Sequence, residues 1–163
     1  MKSALQTEIE SIRERLDQLP DGIAFADFPP GARRDLASGN SLPGNLDALL
    51  EASDGPRCQA IMIYPSDFVQ GIQYLCEEFE GGADKWFCFG HVEDNPLLIE
   101  STSGHVYQFP HPVQEWRISD RLECLSESVP EFFTRYALGD DYLILSRRSD
   151  RWYEFISSLN QNN

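Results

Sequence analysis

Positive charge is what this sequence has least of. Thirteen Lys and Arg stand against twenty-seven Asp and Glu, a net charge of −14. Nucleic acid and anionic membrane surfaces repel such a chain, so neither is expected as a partner, and a basic protein is favoured. Long apolar runs are missing too. Nothing approaches the ~20 residues that span a bilayer, and the start, MKSALQTEIESIRERL, has no apolar leader segment. Cysteine is sparse and unpaired in pattern. Cys58, Cys76, Cys88 and Cys124 contain no CxxC, and they read as reduced core residues of a cytoplasmic protein.

The chemical signatures are also absent. No HExxH occurs, no two of His91, His105 and His111 stand at i, i+4, and no metal is expected. His91 and His105 could meet across neighbouring strands, but hairpin histidines are common and usually structural. No GxSxG marks a serine nucleophile, and no Cys lies in an elbow or recognised Cys–His signature. Gly81-Gly82 is not followed by the Lys and Ser or Thr of a phosphate loop. Glu77-Glu78, Glu93-Asp94 and Asp140-Asp141 are adjacent acids of the kind that mark solvated surfaces. No catalytic residue and no cofactor are expected.

What is present is a well-patterned globular chain. It has 163 residues, 41% of them hydrophobic, with ten Phe, six Tyr and three Trp, enough for one domain with a real core. Leu5, Ile9, Ile12, Leu16 and Leu19 lie on one helical face, with Ser3 and Gln6 placed for a capping box. Residues 20–41 read as loop with at most one helical turn. "LPGNLDALLEASDG" is a short helix burying Leu46, Leu49 and Leu50. "CQAIMIYP" reads as one strand. A third helix is expected with Ser66 as its cap and Phe68, Ile72, Leu75 and Phe79 inward, ending at Gly81-Gly82. Trp86–Val92 reads as a central strand covered on both faces. Phe87, Phe89 and His91 point one way, and Trp86, Cys88 and Val92 the other. Two β runs form a hairpin around Ser103-Gly104, and a short strand is expected near Leu122–Leu125. "SVPEFFTRYALG" is a helix with Ser128 and Glu131 as capping box and Phe132, Phe133 and Tyr136 inside. "DYLIL" fits a short strand or a linker. A last helix carries Trp152, Phe155, Ile156 and Leu159, and NQNN is a frayed tail. Helices, then a run of strands, then helices imply α+β: a mostly antiparallel central sheet with helices packed around it.

One charge feature stands out. From Asp67 to Glu100 there are eight acids, and Lys85 alone opposes them. Glu77, Glu78, Glu80, Asp84, Glu93 and Asp94 are the candidate partner-binding residues, because clustered charge steers association with a basic protein. The bland alternative is a solvated exterior. A small-molecule or catalytic domain is a third possibility, and it would need a pocket with convergent polar groups.

Four blocks, taken in order, resemble the SUKH superfamily, which joins yeast cell-wall-synthesis regulators of the Smi/Knr type with bacterial immunity proteins. They are "LPGNLDALLEASDG", "AIMIYPSDF", "WFCFGHVEDNPLLIESTSGHVYQF" and "SVPEFFTRYAL". The similarity spans about residues 42–138 of a single domain covering 1–163. Glu100 stands where many members have Asp. The resemblance implies an α+β fold, no enzymatic activity, and a non-enzymatic immunity protein that binds and neutralises a cognate polymorphic toxin, such as a basic nuclease. The alternative within the family is a protein-interaction or regulatory scaffold module with no toxin partner. The resemblance supplies no catalytic residues. His91, Glu93 and Asp94 then mark where the Trp86 strand leaves the core, at the edge of a partner-binding face.

Overall fold

The computed structural model describes residues 2–32, 42–109 and 122–161. Among these, seven strands form one antiparallel sheet in chain order: β1 (Ala26–Asp27), β2 (Arg57–Cys58), β3 (Ile61–Ile63), β4 (Trp86–Val92), β5 (Asn95–Glu100), β6 (Val106–Gln108) and β7 (Glu123–Ser126). Each strand pairs with the next in sequence. Trp86–Val92 is therefore the central strand, as its doubly apolar pattern implies.

The helices cover the two faces unequally. α1 (Ala4–Asp17) buries Leu5, Ile9, Ile12 and Leu16. Ser3 Oγ accepts from the Gln6 N–H at 3.1 Å, and Gln6 Oε1 accepts from the Ser3 N–H at 2.8 Å, completing the expected capping box. Leu19 lies beyond the helix end and is exposed. α2 (Leu46–Ala52) follows a 3₁₀ turn at Pro43–Asn45 and buries Leu46, Leu49 and Leu50. α5 (Val129–Phe132) continues through a wider π turn, Phe133–Ala137, burying Phe132, Phe133 and Tyr136. α6 (Tyr142–Ser146) and α7 (Arg151–Gln161) complete this layer. These elements pack on Ile61, Ile63, Phe89, Val92, Leu97, Ile99 and Val106 to form the main core.

A smaller core lies on the opposite face. α3 (Ser66–Val69) runs directly into a 3₁₀ segment, Gln70–Glu78, and together they form a strap across β4. Ile72, Cys76 and Phe79 meet Trp86, Cys88, Leu98 and Phe109 there. The short α4 (Gly82–Lys85) links the strap to β4.

Several expectations are corrected. "CQAIMIYP" is not one strand. Gln59 takes a left-handed φ of 53°, and β2 folds back on β3 as a tight hairpin. The strap turns inward through Val69, Ile72 and Cys76 rather than Phe68, which is 48% exposed, and its second part winds more tightly than the α-helix expected there. Ser66 does not cap it. Asp54 accepts from the Ser66 N–H at 2.7 Å and from its hydroxyl at 3.0 Å. Half of the second capping box forms: Ser128 Oγ accepts from the Glu131 N–H, while the Glu131 carboxylate accepts from Glu127 N–H instead. "DYLIL" is the helix α6, with Tyr142 and Leu145 inward and Leu143 and Ile144 out. Residues 20–32 contribute a 3₁₀ turn, Gly22–Ala24, and strand β1. Cys124 is exposed, unlike the other three cysteines. His111 lies outside the described residues, as do 33–41 and the last two of NQNN.

The central strand also breaks its own alternation. Its register with β5 slips between Cys88 and Gly90, leaving Phe89 as the inserted residue of a β-bulge. Phe89 and Val92 both face the main core, and His91 turns to the Cys88 side. A Cβ at residue 90 would stand 2.3 Å from the Met62 carbonyl oxygen, so only glycine admits β3 this close.

Candidate functional site

The bulge and the strap create a cleft. Tyr64 follows β3, and its hydroxyl lies 3.0 Å from His91 Nδ1. In the Nε2-protonated tautomer the hydroxyl donates to the ring. Leu75 and Phe79 come from the strap, Cys88 and His91 from β4, and Glu93, Asp94 and Pro96 from the β4–β5 turn. The cleft holds about 290 Å³. Phe68 stacks edge-on against Tyr64, with centroids 5.2 Å apart, and stands half exposed. Met62 pairs with His91 across the ladder and is also exposed. Tyr74 is 69% exposed on the strap itself. Apolar side chains this open, beside a cleft, are the usual raw material of a binding surface.

The six predicted acids do not form one patch. Glu77, Glu78 and Glu80 are exposed at the strap's end, and Asp84 on α4. They surround the start of β4. Glu93 and Asp94 are exposed at its far end, roughly 20 Å away along the strand. Glu77 accepts from the Ala83 N–H at 3.3 Å, tying the strap to α4. Lys85 does not stand alone in opposing these acids. Its ammonium sits 5.1 Å from the Trp86 ring centre, while Arg148, from beyond α6, pairs with Glu93 at 2.8 Å. Glu93 has a left-handed φ of 53°, and its N–H donates to the Ala60 carbonyl, so the turn is anchored to the β2–β3 hairpin.

Burial sets the chemistry of the cleft. It pushes the Cys88 thiol up to about 12, with the neighbouring Cys76 adding to the rise, and the thiol donates weakly to the Gly90 carbonyl. Cys88 is therefore a protonated packing group at neutral pH, not a thiolate poised for attack. Burial likewise pushes Tyr64 up to about 12. It pulls His91 below the usual imidazole value, against the opposing pull of Asp94. The walls are thus neutral, and charge is confined to the turn.

His91 and His105 do not meet. His91 pairs with Pro96 at one end of β4–β5, and the Glu100 N–H donates to the His105 carbonyl at the other. Among the described residues no group of His, Cys, Asp and Glu could hold a metal ion. No helix among them is long and apolar enough to cross a membrane.

No family model matches the chain, and neither the curated proteins nor the solved structures give a match.

Sequence reasoning missed Met62, Tyr64, Phe68 and Tyr74 as a surface. Met62 and Tyr64 sit in a run that reads as a buried strand, and Phe68 falls on the expected inward face. Phe68 lies in the α-helical first turn of the strap and faces out, while Val69 and, in the 3₁₀ segment, Ile72 and Cys76 face in.

Proposed function

We propose that this chain is a non-enzymatic immunity protein of the SUKH type, acting in the cytoplasm by stoichiometric capture of a basic toxin protein. The observation that carries the reading is the juxtaposition of exposed Met62 and Phe68 and half-buried Tyr64 with a cleft whose lining is charged only at the acids Glu93 and Asp94. Aromatic and methionine side chains bury large area at low entropic cost, and they are the usual anchors of protein interfaces. Acids around them steer a basic partner in and repel nucleic acid from the same surface. The ordered blocks that resemble the SUKH superfamily converge in the fold. Gly44 of "LPGN" abuts Gly104 of "STSGHVYQF": a Cβ on Gly44 would stand 2.9 Å from the Gly104 carbonyl oxygen, and one on Gly104 3.2 Å from Gly44 Cα.

The test is co-expression with the protein encoded beside this one. Growth inhibition by that protein, relieved by this chain and by formation of a one-to-one complex, supports the reading. Relief that survives Phe68→Asp together with Met62→Asp would overturn this face as the binding surface. A neighbour without toxicity that still binds would favour the regulatory-scaffold reading instead.

A further inference from the structure

We propose that the cleft between the strap and the β4–β5 turn is a receptor for one arginine side chain of the basic partner. This deepens the partner-binding reading and rests on it for the source of the arginine, but the receptor is testable without the partner. At about 290 Å³ the cleft lies at the lower bound of small-molecule sites, which suits a single inserted side chain.

Its walls select the chemistry. Tyr64 and Phe79 supply aromatic rings and Leu75 an aliphatic side chain, a lining that favours the stem of an arginine and the flat face of its guanidinium. Cys88 and His91, both neutral at pH 7, add no repelling charge. The turn already accepts one guanidinium, because Arg148 of this chain pairs with Glu93. Asp94 lines the same cleft and has no ion pair among the described residues. A second guanidinium on Asp94 completes the arrangement. An anion would face both carboxylates. A purely apolar group would bury Asp94 without a partner, which is costly. Lysine brings a compact, strongly hydrated charge that stacks poorly on rings.

The test uses the intact chain, labelled with ¹⁵N, and N-acetyl-arginine methylamide as probe. Saturable amide shifts are expected at Leu75, Cys88, His91 and Asp94, with a dissociation constant on the order of millimolar, as befits so small a ligand. The uncharged analogue N-acetyl-citrulline methylamide should produce none of them. Asp94→Asn, in an exposed turn, should keep the spectrum of a folded chain and weaken the probe by roughly fivefold or more. Equal binding of citrulline overturns the proposal. So does an unchanged affinity in D94N, or non-saturating shifts spread over Glu77, Glu78 and Glu80, which would report diffuse counter-ion attraction. A failed probe beside an intact partner complex refutes the receptor and leaves the partner reading standing. A bound probe with no neighbouring toxin does the reverse.

Discussion

The Gln73 carboxamide replaces a strand for Cys88. Its Nε2 donates to the Cys88 carbonyl at 2.8 Å, and its Oε1 accepts from the Cys88 N–H at 2.9 Å. The same Nε2 reaches the Val69 carbonyl at 2.7 Å. One side chain thus fixes the strap to β4 beside the bulge, and so sets the back wall of the cleft. Gln73→Ala would leave both groups of the Cys88 peptide without this partner. The expected loss is about 2 kcal/mol, read as a lower urea midpoint. A loss no larger than that of an exposed surface substitution would show that water replaces the carboxamide.

Thiol reactivity separates the four cysteines. Cys58, Cys76 and Cys88 are buried and Cys124 on β7 is exposed. Burial raises the pKa of the first three, well above the ordinary value at Cys58. An aromatic disulfide reagent at pH 7.5 should therefore label one thiol rapidly, and Cys124→Ser should abolish that phase. The rest should react only as the chain unfolds. Rapid labelling of C124S would mean that the strap opens without global unfolding.

How far the sequence foretells this arrangement depends on the length of each pattern. α1 repeats its apolar step over four turns, and its capping box lies in plain view. Trp86–Val92 is long enough for its two-sided apolar pattern to show. The hairpin at Gly104 and the paired Phe132-Phe133 are equally readable. The failures are local. The β2–β3 turn rests on Gln59 at positive φ, which composition does not signal. α6 is five residues long, too short for a helical period to beat the strand-like look of Tyr142-Leu143-Ile144-Leu145. The bulge at Phe89 reverses the side to which His91 points, and no alternation rule contains an inserted residue. Because the cleft is built from the bulge and the tightly wound strap, it was the least legible part. The acids were visible, but not that the length of β4 divides them into two groups.

The cleft should leave its mark on stability against pH. Cys88 rises from 9.0 to about 12 and Tyr64 from 10.0 to about 12 in the folded chain, both chiefly by burial. The unfolded chain therefore releases these protons first. Stability held below pH 9 should decline as pH rises from 9 towards 12. His91 acts at the other end. Its folded pKa is lowered by burial, so on acidification the unfolded chain gains the proton first, and stability falls as pH drops through and below 6.5. Urea midpoints across pH 5–11 should show both shoulders. Cys88→Ala should reduce the alkaline one and His91→Gln the acid one. An unaltered acid shoulder in H91Q would place that titration elsewhere.

Two polar contacts of similar length should differ widely in worth. Arg148 meets Glu93 at 2.8 Å, but their side chains are 69% and 47% exposed. Such a pair is screened and entropically costly to hold, so Arg148→Ala should move the thermal midpoint by less than about 2 °C. The Tyr142 hydroxyl donates to Asp150 Oδ2 at 2.6 Å and accepts from the Ala60 N–H at 3.1 Å. Tyr142 is fully buried, and Asp150 Oδ1 also accepts from the Tyr153 N–H at the start of α7. Tyr142→Phe removes one oxygen and strands the Ala60 N–H in the core, while the Asp150 carboxylate loses its hydroxyl donor. The expected cost is about 2 kcal/mol, measured by chemical denaturation. Were R148A to prove the more damaging change, the β4–β5 turn would depend on its ion pair rather than on the Glu93 hydrogen bond to Ala60.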